Sequence, residues 1–150
     1  MRTPKLLLAL AGLLMLPQVS FAQLTRATLS APGVWYAPGA DSAYYQAKTL
    51  TFVSDARALP PKLCKYTTWE ISAKKFAVVS YDACLSPEDA FSFHSKKKLR
   101  LSNQGTTQVL NIYRSGVLVD SFEVLAVSPT GIEDSKKMTL KRVMPKVPIY

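Results

Sequence analysis

Apolar and polar residues alternate in short runs along most of the chain, and turn residues such as Gly, Pro, Asn and Ser separate the runs. Alternation with a period of two is typical of strands that bury one face of a sheet. Many short strands separated by turns favour an all-β fold. We expect about eight antiparallel strands in a meander that closes into a barrel, with a β-sandwich as the alternative. The runs that predict these strands cover residues 33–36, 49–53, 64–71, 76–84, 99–101, 106–113, 117–127 and 137–143.

A single turn of helix is predicted at residues 86–89. Ser86 is a favourable N-cap, and the proline and two acidic residues that follow it suit the first turn of a helix. The chain of 150 residues has room for one ordinary domain. We expect that domain to cover residues 23–143, and residues 144–150, which include two prolines, to form a C-terminal tail.

The first 22 residues have the layout of a secretory signal peptide. Arg2 and Lys5 form a positive start, residues 6–16 are an apolar run, and small residues precede a cleavage site at Ala22/Gln23. The apolar run is too short to span a bilayer, which requires roughly 20 residues. We therefore expect an exported protein of the bacterial periplasm or the secreted fraction.

Two cysteines, Cys64 and Cys84, would then lie in an oxidising compartment. A single structural disulfide is the main prediction, contributing on the order of 3 kcal/mol in the loop-entropy model. A reactive thiol pair is the alternative, but neither cysteine has C-x-x-C spacing or a helix after it. If the two cysteines lie opposite each other, the hairpin between them pairs Trp69 with Val79 and points Trp69 into the core.

A second hairpin contains the candidate ligand site. A two-residue Ser115-Gly116 turn would place Asn111 opposite Asp120, and neither face of this hairpin is purely apolar. The hairpin is therefore expected to be covered on both sides or to line a partly polar cavity. An eight-stranded barrel can hold one small ligand, although a solvent-facing cross-strand pair is the alternative. The proposed ligand-binding residues are Asn111, Asp120, Tyr113, Phe122 and Trp69.

The sequence contains few residues from which a catalytic or metal-binding site could be built. His94 is the only histidine, and it is more simply explained as a loop or strand residue than as a general base. One histidine and two cysteines are too few for a zinc site. The ten acidic residues show no spacing typical of paired catalytic carboxylates. We expect a binding protein rather than an enzyme, without catalytic residues, cofactor or metal.

Positive charge is abundant, with 19 Lys and Arg against 10 Asp and Glu and a net charge of +9. Loss of Arg2 and Lys5 with the signal peptide lowers this charge to +7. Such a surface could attract an acidic protein partner or an anionic membrane surface. Alternatively, the lysines simply face solvent and discourage pairing at sheet edges. Nucleic acid is not an expected partner of an exported chain, and the protein is expected to be a monomer.

Both ends of the predicted barrel resemble a known group of proteins. The Gly33-x-Trp35 element and the last strand, which contains Arg142, look like those of small bacterial lipocalin-like barrels. In that group an Arg of the last strand packs over the Trp of the first. The resemblance therefore implies a lipocalin-like fold in which Trp35 and Arg142 form a barrel-closing structural pair through cation–π packing.

The chain also resembles the periplasmic metalloproteinase inhibitors, which are eight-stranded lipocalin-like barrels. The likeness lies in Gly33-x-Trp35, in two cysteines about twenty residues apart, and in a Leu-x-Leu-Ser-x-x-Gly-Thr element that begins at Leu99. The gap from Trp35 to Cys64 is longer here than in those inhibitors. They inhibit through an N-terminal segment, a role that the resemblance implies for residues 23–31.

Three functions are compatible with these patterns. The leading hypothesis is a periplasmic carrier or sensor of a small apolar or amphipathic molecule, oriented by Asn111 and Asp120. The alternative is a protein-binding inhibitor or immunity factor directed at an enzyme. The third is a structural protein of the cell envelope, held by its lysines to anionic surfaces.

Overall fold

Eight antiparallel strands form a closed barrel in the computed structural model of the protein, which describes residues 23–84 and 97–144. The predicted all-β barrel is confirmed, and the sandwich alternative is wrong. The predicted signal peptide 1–22, the predicted helical turn at 86–89, His94 and residues 145–150 lie outside the described residues. The strands are β1 Val34–Pro38, β2 Thr49–Val53, β3 Lys65–Ile71, β4 Phe76–Asp82, β5 Lys97–Gln104, β6 Thr107–Arg114, β7 Val117–Pro129 and β8 Lys136–Met144.

Strands β3 to β8 follow one another around the barrel as a meander, and β1 and β2 close it. β1 lies between β3 and β2, and β2 pairs with β8. Because β2 and β3 are both antiparallel to β1, they run parallel to each other. The connection between them, which includes the short 3₁₀ helix Ala56–Ala58, therefore crosses β1.

Two short helices that the sequence did not predict cover the ends of the barrel. The first, α1 (Arg26–Ser30), precedes the start of β1, and the side chain of Thr25 caps it by accepting a hydrogen bond from the Thr28 N–H. The second, α2 (Asp41–Gln46), follows the end of β1. Neither helix is long enough to show a 3.6-residue hydrophobic period. Each buries one large side chain, Leu29 from α1 and Tyr44 from α2.

Aromatic side chains fill the centre of the barrel. Trp69 is fully buried, and its ring centroid lies 4.5 Å from that of Phe52 and 5.5 Å from those of Phe76 and Phe122. The prediction that Trp69 points into the core is confirmed. Packing of this kind is the way in which small barrels usually occupy their interior.

The hairpin β3–β4 differs by one residue from the predicted register. Trp69 pairs with Val78 and not with Val79, because a four-residue turn, Ser72 to Lys75, joins the strands. The predicted disulfide between Cys64 and Cys84 is confirmed. Both cysteines lie beyond the last pair of the ladder, so their proximity did not define the register of the strands.

The hairpin β6–β7 begins with the predicted two-residue turn. Ser115 and Gly116 both have positive φ angles, 50° and 81°, as turns of this kind require. A bulge then inserts Val119, so that Asn111 opposes Ser121 and not Asp120. The predicted Asn111–Asp120 pair is therefore wrong, because one extra residue moves the side chains beyond it to the other face.

Candidate functional site

The five residues proposed to bind a ligand do not share one surface. Phe122 and Trp69 belong to the buried core, and Asp120 lies on the same inward face of β7 as Phe122. Asn111 and Tyr113 lie on the opposite face of β6 from the buried residues on either side of Asn111. They are therefore separated from the other three by the sheet itself.

The outward residues make contacts with neighbouring strands. The Ser121 hydroxyl donates to Asn111 Oδ1 at 2.7 Å, and Asn111 Nδ2 donates to Ser102 Oγ at 3.3 Å. The guanidinium of Arg100 lies over the Tyr113 ring, 5.1 Å from its centroid. These contacts tie β5, β6 and β7 together on the outside of the barrel.

Asp120 and Arg142 form a buried ion pair inside the barrel. Arg142 Nη1 lies 3.0 Å from Asp120 Oδ2, and the two side chains are 6% and 4% exposed. The guanidinium also lies over the rings of Phe122 and Tyr44, at 4.8 and 5.6 Å, and donates from Nη2 to the Tyr44 carbonyl. Arg142 therefore joins β8 to β7 and to α2.

The predicted cation–π pair of Trp35 and Arg142 is wrong. Trp35 lies near the start of β1, where its indole N–H donates to the Leu29 carbonyl of α1 at 2.8 Å. Arg142 lies near the end of β8, at the opposite end of the barrel, where α2 provides Tyr44 as its partner. Both residues close the barrel, but each holds a different helix against it.

Tyr44 completes the buried network at the α2 end. Trp69 Nε1 donates to the Tyr44 hydroxyl at 2.7 Å, so the central ring of the core is tied to α2. Burial raises the pKa of the Tyr44 hydroxyl, and its hydrogen bond with Trp69 only partly offsets that rise. The hydroxyl therefore stays protonated, and the network is structural.

The N-terminal segment 23–31, which the resemblance assigned to inhibition, folds onto the barrel. The Leu24 N–H donates to Gln108 Oε1 at 2.7 Å, and Gln108 Nε2 donates to the Leu24 carbonyl at 2.8 Å. Leu24 and Leu29 are 1% and 3% exposed. This segment is part of the core and not a free arm.

Within the described residues, which resume at Lys97, strands β4 and β5 share one pair, Phe76 with Lys97. From Lys98 to Gln104, β5 continues past the start of β4, while its other edge pairs with β6 along its whole length. Among the described residues, no strand pairs with this part of β5 on the side of β4. Within residues 23–84 and 97–144, β5 therefore has an open sheet edge at this seam.

A cleft of about 260 Å³ runs along the open edge, between β5, α1 and the turn from Ser72 to Lys75. We call it the β5 groove. Apolar side chains form its inner part, namely Leu29, Ile71, Phe76, Leu99 and Leu101. Six cationic side chains line it as well, namely Arg26, Lys74, Lys75, Lys97, Lys98 and Arg100. None of the described residues that line it carries a carboxylate, so the groove should attract anions.

Lys97 is the innermost of these cations. It precedes Leu99 and Leu101 on the inward face of β5 and is half-buried. Burial lowers the pKa of its ammonium, the nearby Arg114 lowers it further, and Asp120 partly opposes the change. None of the described carboxylates lies within ion-pair distance of Lys97. An anion that binds beside Lys97 would therefore stabilise its charged ammonium.

Sequence reasoning missed the β5 groove, although its cations were visible. Residues 74–75 and 96–100 form two separate positive runs in the sequence, 22 residues apart at their starts. The offset of β5 against β4 brings them to one cleft, together with Arg26 of α1. Their convergence depends on strand register, which the separate runs do not reveal.

A second cleft of about 490 Å³ lies between α1, the β2–β3 connection and the β7–β8 turn. Its charges are mixed, and Asp55 is already paired with Arg57 at 2.6 Å. Across residues 23–84 and 97–144, no three His, Cys, Asp or Glu side chains are placed to hold a metal ion. Of the two clefts, only the β5 groove combines one sign of charge with an apolar lining.

The described part of the chain also has no helix long and apolar enough to cross a membrane. Comparison with protein-family models, curated proteins and solved structures found no match to this chain.

Proposed function

We propose that the protein is an exported binding protein that takes an anionic, partly apolar ligand in the β5 groove. The observation that carries this proposal is an apolar cleft whose described lining residues include six cations and no carboxylate. The amphipathic ligand expected from the sequence is retained, but its site moves from the interior of the barrel to the seam between β4 and β5.

The interior is a poor place for a ligand. Trp69, Phe52 and Phe122 occupy the centre of the barrel, and Asp120 is engaged by Arg142. A ligand there would have to displace packed rings or separate the ion pair, and separating a buried ion pair costs about 3–5 kcal/mol. The β5 groove already exists as a cleft and demands neither change.

The groove suits an amphipathic anion in two ways. Its acidic group would meet Lys97, where partial burial weakens the screening of charge by water. Its apolar part would cover Leu99 and Leu101, which are only partly buried. Covering about 100 Å² of apolar surface contributes roughly 2.5 kcal/mol, so charge and apolar contact would both be needed for useful affinity.

Export is part of the proposal. It is supported by the signal-peptide pattern of residues 1–22 and by the disulfide between Cys64 and Cys84, which suits an oxidising compartment. The strong positive charge of the groove then favours ligands with carboxylate, phosphate or sulfate groups.

The test is a titration of ¹⁵N-labelled protein, residues 23–150 with the disulfide formed, followed by NMR. Decanoate is the anionic probe and decanol is the neutral control. We expect decanoate to shift the amide signals of Lys97 to Leu101, less so at high salt, and decanol to have little effect. Decanoate shifts centred instead on Asp120 and Phe122 would contradict the proposed site.

A pair of matched variants separates local charge from net charge. Lys98→Gln with Arg100→Gln removes two cations from the groove. Lys48→Gln with Lys137→Gln removes two exposed cations that do not line it. We expect the groove variant to weaken decanoate binding about tenfold, as a loss of 1.4 kcal/mol would, and the control to bind nearly as well as the unmodified protein.

A further inference from the structure

The β5 groove is also a sheet edge, and that geometry restricts the kind of ligand further. We propose that its occupant is an acidic segment of a different protein, which adds to β5 as an extended strand. This inference rests on the proposed function, because it assigns the ligand class of the same site.

The first argument is the backbone of β5. Among the described residues, β5 pairs with β4 only at Lys97 but pairs with β6 from Lys97 to Gln104. In an antiparallel strand, alternate residues direct their N–H and C=O groups to opposite edges. The stretch from Lys98 to Gln104, about 23 Å long at 3.3 Å per residue, therefore presents hydrogen-bonding groups at its open edge. Strand addition satisfies such groups.

The second argument is the alternation of side chains along this edge. Lys98 and Arg100 are exposed, whereas Leu99 and Leu101 pack partly against the core. A strand laid beside β5 would direct its own side chains alternately to these two faces. The complementary segment therefore alternates acidic residues, facing the cations, with apolar residues, facing the leucines.

The third argument is that the charges disfavour a second copy of the same chain. Two β5 edges paired together would bring Lys98 and Arg100 of each copy close to those of the other. Like charges on neighbouring strands are destabilising, and lysine on an edge strand commonly prevents self-association. With an acidic partner the same interactions become attractive. The charges of β5 therefore disfavour pairing with a second copy of this strand and favour pairing with an acidic strand of another protein.

The test uses seven-residue peptides, matched in length to residues 98–104, and fluorescence anisotropy. One peptide alternates Glu with Val, and a second has the same composition with its Glu residues in one block. Two further alternating peptides carry N-methyl groups on one edge or on the other. N-methylation removes amide donors but keeps charge and composition, so it separates strand pairing from simple attraction.

We expect the alternating peptide to bind more tightly than the block peptide, and methylation of one edge only to weaken binding by about tenfold or more, as the loss of two hydrogen bonds would. Amide hydrogen exchange between Lys98 and Gln104 should slow on binding. Equal binding of all four peptides would leave anion binding in place and overturn strand addition. Binding of decanoate but of no peptide would also overturn it, and binding of neither would refute the proposed function as well.

Discussion

Replacement of Asp120 by Ala is the sharpest test of the buried network. Asp120 forms an ion pair with Arg142 at 3.0 Å, and both side chains are at least nine-tenths buried. The substitution leaves the Arg142 guanidinium in the interior without its carboxylate. Its remaining contacts are the rings of Phe122 and Tyr44 and the Tyr44 carbonyl, none of which carries a full negative charge.

The expected cost follows from burial. Removing one partner of a buried ion pair typically costs about 3–5 kcal/mol, because the other charge stays desolvated. A matched control exists on the same strand, since Glu123 pairs with Lys141 at 3.9 Å and both side chains are substantially exposed. Exposed pairs contribute about 0–1 kcal/mol, so Glu123→Ala should change stability by no more than about that amount.

Urea unfolding followed by tryptophan fluorescence measures both effects, because Trp35 and Trp69 are fully buried. We expect Asp120→Ala to lower the free energy of unfolding by several kcal/mol. Combining it with Arg142→Met should restore part of that loss, since no unpaired charge then remains. Equal, small effects of Asp120→Ala and Glu123→Ala would refute the account of the network.

Three further outcomes can be checked with similar assays. Replacing Cys64 by Ser should lower the free energy of unfolding by about 3 kcal/mol, because the unfolded chain is then no longer constrained by the disulfide that joins residues 20 apart. An unchanged urea midpoint would contradict a structural role for the disulfide. Tyr44→Phe removes the acceptor of the Trp69 indole N–H and should cost about 1–3 kcal/mol, whereas a change below 0.5 kcal/mol would count against the α2 contact. Lys97→Met should stabilise the protein at pH 7, because burial lowers the folded-state pKa of Lys97. That gain should shrink as the pH rises towards the ordinary lysine pKa of 10.5. Lys97 of the unsubstituted protein then loses its proton, and the cost of burying its charge disappears. A gain that grows with pH would contradict the direction of the shift.

Features that depend on neighbouring residues were predictable from the sequence. The eight strands, the Ser115-Gly116 turn and the buried position of Trp69 all follow from alternation and turn residues. The disulfide followed from counting, because only Cys64 and Cys84 were available to pair. The helix α1 was missed because five residues cannot display a helical period.

The errors arose where a prediction depended on register or on distant residues. One bulged residue, Val119, separated Asn111 from Asp120, and no local signal marks it. The partner of Arg142 was assigned by resemblance to Trp35, but α2 places Tyr44 there instead. In both cases the outcome depends on how the whole barrel closes and not on the residues beside the site.

The sequence by itself determined that this chain forms a disulfide-bonded barrel of alternating strands with excess positive charge. Alternation and charge are properties of short segments, and they persist in whatever register the strands adopt. Only the tertiary structure decided that Lys74 and Lys75 line the same groove as Lys98 and Arg100, and that none of the described strands pairs with β5 there. The physical reason is that strand offset is selected by the packing of all eight strands around the central aromatic rings, so the groove has no counterpart in any single segment.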